Sequence, residues 1–121
     1  MKKLFLGLVL LVMTAPSLAA TCKISEYAFL VLDDKNKVVP VAREPAVATQ
    51  TVTYTTAVDS AAMNAATRFV RVVCDAKAHF VFSVAGTNPT ASSPYLPGDT
   101  PEYFGVKVGD AIIISFYDGS S

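Results

Sequence analysis

The chain has 121 residues, with ten basic and ten acidic side chains, two cysteines and a single histidine. That length holds one domain, and its interspersed charges provide no basic face of the kind selected by nucleic acid or an anionic membrane surface. Two cysteines and a distant histidine form no ligand cluster, so neither a metal nor another cofactor is expected.

Residues 1–20 read as an export leader. Lys2 and Lys3 form a basic start, "LFLGLVLLVM" (Leu4 to Met13) is a continuous apolar run, and "TAPSLAA" ends in the small residues a signal peptidase requires. Cleavage after Ala19 and after Ala20 both fit that pattern. The apolar run is shorter than the about 20 residues of an ordinary transmembrane helix, so no stable membrane span is expected in the mature chain. A lipoprotein site is excluded because Thr21, rather than a smaller residue, precedes Cys22. Without Lys2 and Lys3, eight basic residues face ten acidic ones, a net charge near −2.

From residue 21 onward, to 121, the pattern is that of one all-β domain. "YAFLVL" (Tyr27 to Leu32) and "KVVPV" (Lys37 to Val41) flank the polar turn "DDKN", as in a hairpin. Pro40 has no amide to donate, which places the second of these at a sheet edge or ends it early. "VATQTVTYTT" (Val47 to Thr56) alternates, with Ala48, Gln50, Val52 and Tyr54 on one face. "AVDSAAMNAAT" (Ala57 to Thr67) is the one place a helix could start, capped by Asp59 or Ser60. It is too short to be stable alone, so a helical turn or a compact loop is expected.

"RFVRVVCD" (Arg68 to Asp75) is a clear strand with Val70, Val72 and Cys74 on one face. "HFVFSV" (His79 to Val84) follows the turn at Ala76 and Lys77 and is expected to pair back onto it as a hairpin. "EYFGV" gives a short strand, and "AIIISFYD" (Ala111 to Asp118) the most apolar and therefore central one. Short connections imply antiparallel order, since parallel strands need long crossovers. Six to eight short strands with at most one short helix make an antiparallel β-sandwich or a jelly-roll-like barrel.

Cys22 and Cys74 have two readings. In an oxidising compartment they form one disulfide, which would stabilise the fold by roughly 4 kcal/mol in the chain-entropy model. The alternative is two separate thiols, with Cys74 buried as a small hydrophobe. His79 would have to serve any Ser–His–Asp triad, with Ser83 or Ser92, yet no serine lies in a nucleophile elbow. At the head of an alternating strand it reads as a structural histidine. Asp99, Glu102 and Asp110 could approach one another, but without a calcium-loop spacing they make no site.

The late aromatics are the stronger candidates. Tyr95, Tyr103 and Tyr117, with Pro97 and Pro101 between them, form a candidate interaction surface, whereas Phe104 reads as core. Pro94, Pro97 and Pro101 stiffen "SSPYLPGDTPEYFGVKVGD" (Ser92 to Asp110) and remove amide donors. The segment is thus expected to strap a sheet edge without inviting another strand.

"TRFVRVVCDAKAHFVFS…NPTASSPYLPGDTPEYFGVKVGD" (Thr67 to Asp110) resembles a segment of small tailed-phage and prophage proteins, and the stretch from Cys22 to Tyr54 is similar too, so the likeness covers about residues 22–118. The resemblance implies a virion-associated, head or decoration type β-domain that docks on other protein subunits or on copies of itself, as a homo-oligomer. It implies no active site, and the expectation is that the chain is not an enzyme. The leader departs from that pattern, because virion proteins are ordinarily made in the host cytoplasm. Translation from Met13 would remove the leader and leave both thiols reduced. With the leader in use, the product is periplasmic or extracellular, and the second reading is an exported β-sandwich that binds carbohydrate or a cell-surface protein.

Overall fold

The computed structural model describes residues 19–119. Apart from Ala19 and Ala20, the expected leader lies outside them. Alternating residues build antiparallel strands throughout, with ten strands among the described residues: β1 (Ala20–Tyr27), β2 (Leu30–Leu32), β3 (Val38–Ala42), β4 (Ala48–Tyr54), β5 (Val58–Asp59), β6 (Phe69–Cys74), β7 (Ala78–Ser83), β8 (Tyr95–Leu96), β9 (Glu102–Gly105) and β10 (Ile113–Tyr117). The excess over the expected six to eight comes from β5 and β8, each only two residues long. One four-stranded sheet runs β4-β1-β6-β9, a second runs β5-β10-β7-β8, and β2 and β3 form a separate hairpin.

The two sheets face each other across an apolar core. Ile24, Val52, Tyr54, Val70 and Val72 of the first sheet meet Ala78, Leu96, Ile114 and Phe116 of the second, all buried. Tyr54 stacks on Phe116 with ring centroids 5.9 Å apart. Toward the β9 edge, Phe104 packs 5.2 Å from Phe80 and 5.0 Å from Phe82. As expected, β10 is interior to its sheet, between β5 and β7.

Two local expectations are corrected. β6 and β7 are not a hairpin: β6 pairs with β1 and β9, whereas β7 pairs with β10 and β8. The short turn at Ala76 and Lys77 instead carries the chain from one sheet to the other. Residues 57–67 form no helix. Residues 57–63 run extended beside β10, with Ser60 and Met63 N–H groups donating to the Ile114 and Ile112 carbonyls at 2.8 Å each, and a turn follows in which Thr67 N–H donates to the Asn64 carbonyl at 3.0 Å. A short Ala-rich segment has too little helical stability of its own to resist such pairing. The buried Glu26 fixes its end, with Oε1 accepting from Asn64 N–H (2.6 Å) and Thr67 Oγ1 (2.8 Å).

Cys22 and Cys74 are joined in a disulfide. They oppose each other in the β1–β6 register, and Asp75 N–H donates to the Thr21 carbonyl one position away. The cysteines therefore occupy a non-hydrogen-bonded pair, the close kind in an antiparallel ladder. Their Cα atoms are 4.0 Å apart, and both side chains are buried.

Candidate functional site

The β2–β3 hairpin positions the site. Its turn is built by Asp33, whose Oδ1 accepts from the Lys35 and Lys37 N–H groups at 2.9 and 2.8 Å, with Asn36 at φ 59°. At its root Arg43 N–H donates to the Phe29 carbonyl (3.0 Å) and Val47 N–H to that of Glu26 (2.7 Å). Tyr27 Oη adds a bond to Glu44 Oε1 at 2.8 Å. Burial raises the Tyr27 phenol above its ordinary range, reinforced by its hydrogen bond to Glu44 and that carboxylate's charge.

The hairpin is apolar on more than one side. Val38 and Leu32 are 61% and 55% exposed, and Phe29 at its base is 57% exposed. Between it and the β6–β9 corner of the first sheet lies an open cleft of about 860 Å³. Phe29, Leu30 and Val31 line one wall, and Phe69, Tyr103 and Phe104 the other. Its charged lining is wholly basic: Arg43 and Arg68, with no Asp or Glu. Their guanidinium carbons stand 6.0 and 5.8 Å from the Phe29 ring centroid. A cation over a ring face is held by the ring quadrupole, so both charges are gathered at the mouth of an apolar surface.

The candidate interaction residues do not form one surface. Tyr103 opposes Arg71 on the outer face of the first sheet and contributes to the cleft. Tyr95 and Tyr117 oppose His79 from either side on the outer face of the second sheet. Their ring centroids lie 5.7 and 6.2 Å from the His79 ring. Lys77 Nζ sits 4.2 Å from the Tyr95 ring centroid. Pro97 and Pro101 are exposed and belong to the strap between β8 and β9. That strap crosses the end of the sandwich: Asp99 N–H donates to the Cys74 carbonyl at 2.6 Å. It joins the edge strands of the two sheets.

His79 is buried, and its Nδ1 lies 2.8 Å from the Ser93 carbonyl. A carbonyl only accepts, so Nδ1 carries the proton and donates. The orienting position that a carboxylate would occupy in a catalytic triad is thus filled by backbone. Asp110 lies 3.7 Å from Lys107 Nζ in an exposed ion pair. Among the described residues no three His, Cys, Asp or Glu side chains converge on a metal-sized site. Nor is any helix there long and apolar enough to cross a membrane.

Phe29, Arg43 and Arg68 carry the cleft and were not singled out by sequence. The available signal was "AFLVL" (Ala28 to Leu32), a continuous apolar run in a two-stranded hairpin. Such a hairpin can bury only one face against its own domain. Compared with known proteins, the chain matches no family model, no curated protein and no solved structure.

Proposed function

We propose that this chain is a non-enzymatic docking module, a β-sandwich that attaches to other protein subunits through the cleft between the β2–β3 hairpin and the β6–β9 corner. The observation that carries the reading is the exposed apolar hairpin, hydrogen-bonded at its root, that shares a cleft with the β6–β9 corner. A contiguous apolar surface of this kind is unfavourable in water and marks interaction sites. The resemblance over Thr67 to Asp110 supports a virion-associated setting, in which the module decorates or joins a phage or prophage particle. The opposed placement of Tyr95 and Tyr103 weakens the carbohydrate reading, which needs adjacent rings.

The test is sedimentation of particles from a producing strain, comparing the unaltered chain with Leu32→Asp. Leu32 is exposed, so the substitution leaves the core untouched. Co-sedimentation that Leu32→Asp abolishes supports the reading. A protein that never accompanies particles, or that does so equally well with Asp at this position, refutes it.

A further inference from the structure

β9 ends its sheet, and its residues Tyr103, Phe104 and Gly105 line the cleft. Asp99 and Val106 N–H groups reach the carbonyls of Cys74 and Arg68 at 2.6 and 2.8 Å. Even-numbered residues of β6 therefore turn their carbonyls toward β9. In the observed register Val70 opposes Phe104 and Val72 opposes Glu102, so these pairs exchange the ladder hydrogen bonds. Backbone groups alternate direction along a strand. The N–H and C=O groups of Tyr103 and Gly105 consequently point away from β6, off the sheet.

The prolines that guard the strap stop at Pro101, one residue before β9 begins. β9 itself contains neither a proline nor a lysine, and its one charge, Glu102, stands at its first residue, so the stretch Tyr103 to Gly105 carries no charged or proline guard. At Gly105 a Cβ would meet nothing within 4 Å, so another backbone can approach it freely. β9 is four residues long, an edge of about 13 Å. Apolar side chains flank it on the hairpin side, and two guanidinium groups lie in the same lining, which contains no Asp or Glu; Glu44, beside Arg43, is engaged by the Tyr27 hydroxyl outside it.

We infer that the cleft takes an extended segment of a partner protein, which pairs with the open edge of β9 and places a carboxylate against Arg43 and Arg68. Main-chain hydrogen bonds to Tyr103 and Gly105 hold the added strand. Its alternate apolar side chains lie on the hairpin and on Phe69. The carboxylate, from an acidic side chain or a chain terminus, supplies the charge the lining lacks. Strand addition to a sheet edge is an established way for main-chain bonds to give affinity and pockets to give specificity. This assignment deepens the docking reading and rests on it.

The probe is a fluorescent synthetic peptide of alternating Val and Thr, about seven residues long to match a typical strand, with a free C-terminal carboxylate. Three companions are needed: its C-terminal amide, a version N-methylated at every second residue, and dodecanoate as competitor. The intact protein should bind the parent peptide and lose at least about tenfold with the N-methylated one, whose pairing donors are gone. The amide should bind about fivefold or more weakly, and Arg43→Gln/Arg68→Gln should erase the difference between acid and amide. Both arginines are exposed, so that variant keeps the fold.

Absence of peptide binding, or equal binding of the N-methylated peptide, overturns the inference. So does displacement by dodecanoate with no effect of N-methylation, which would mark a site for anionic amphiphiles. A homodimer that Arg43→Gln/Arg68→Gln dissociates would also overturn it, by making a second copy the occupant. Loss of particle association in Leu32→Asp without peptide binding would leave docking standing and remove strand addition alone.

Discussion

Breaking the Cys22–Cys74 link should remove close to half of the stability of this domain. The bridge spans a sequence separation of 52 residues. In the chain-entropy model, closing a loop of that length costs the unfolded chain about 14 cal/mol/K, or about 4 kcal/mol at 25 °C. Total stability for domains of this size is about 5–15 kcal/mol. Reduced protein keeps both sulfur atoms in the core, so its deficit reports the link alone. Cys22→Ala/Cys74→Ala also loses packing, at about 1 kcal/mol per buried sulfur by analogy with a methylene.

Urea unfolding followed by fluorescence and circular dichroism should therefore rank oxidised protein first, reduced protein second and the alanine pair last. The midpoint gap between the first two should be roughly 3 M, given a slope of about 1–1.5 kcal/mol/M. Both cysteines are buried, at 0% and 1% exposure, so dithiothreitol should cleave the bridge only as fast as the domain opens, because thiolate attack needs access. A reduced protein within about 1 kcal/mol of the oxidised one would refute the loop-closure reasoning. Rapid reduction without denaturant would refute the burial.

Glu26→Ala should destabilise by about 3 kcal/mol, because it strands the Asn64 N–H and the Thr67 hydroxyl in the turn that ends the 57–67 segment. Glu26→Gln retains an acceptor and should cost less than half as much, which paired chemical denaturation would reveal. Burial, followed by the charges of Asp75 and Asp118, pushes the Tyr54 phenol up to about 12. Its folded value lies above its unfolded one, so its contribution is intact below pH 10 and is lost as pH rises toward 12, by up to about 1.4 kcal/mol per pH unit. An ultraviolet titration should show a phenol ionising at about pH 12 that Tyr54→Phe removes, and that variant should flatten the alkaline fall in stability. Gly86→Ala should cost about 2 kcal/mol: Gly86 has φ +79°, and a Cβ there would run into the Asp59 carboxylate. A thermal melt unchanged by that substitution would contradict the geometry.

The strands were legible wherever a two-residue period met one buried face. Val70, Val72 and Cys74 announce the interior side of β6, and Val52 and Tyr54 that of β4, because a strand half-covered by core must alternate. Strand partnership was harder to read. "DAK" (Asp75 to Lys77) between β6 and β7 has the length and polarity of a hairpin turn, but a link between stacked sheets needs the same properties. Only the occupation of both β6 edges, by β1 and β9, sends β7 to the other sheet. The 57–67 segment misled for a related reason: alanine favours helix locally, while Met63 has a place in the core and Glu26 holds Asn64 and Thr67. Those tertiary contacts outweigh a few tenths of a kcal/mol per residue of propensity.

The cleft was invisible in sequence because no local pattern encodes it. Phe29 and Arg43 stand at the hairpin root, Arg68 enters β6, and Gly105 closes β9; they converge only once the hairpin is pinned by Tyr27, Glu44 and Val47. The proline-rich segment, expected to run along a sheet edge, instead crosses from β8 to β9 and itself supplies an edge strand to each sheet. Its last proline, Pro101, protects the approach to β9 and leaves the four residues Glu102–Gly105 open. An edge without proline or lysine over that stretch, in one lining with exposed Leu32 and Val38, brings together two surface features that soluble proteins generally suppress. Either alone has trivial explanations. Their coincidence at one corner, in a lining with two guanidinium groups and no Asp or Glu, is the ground for proposing strand addition there.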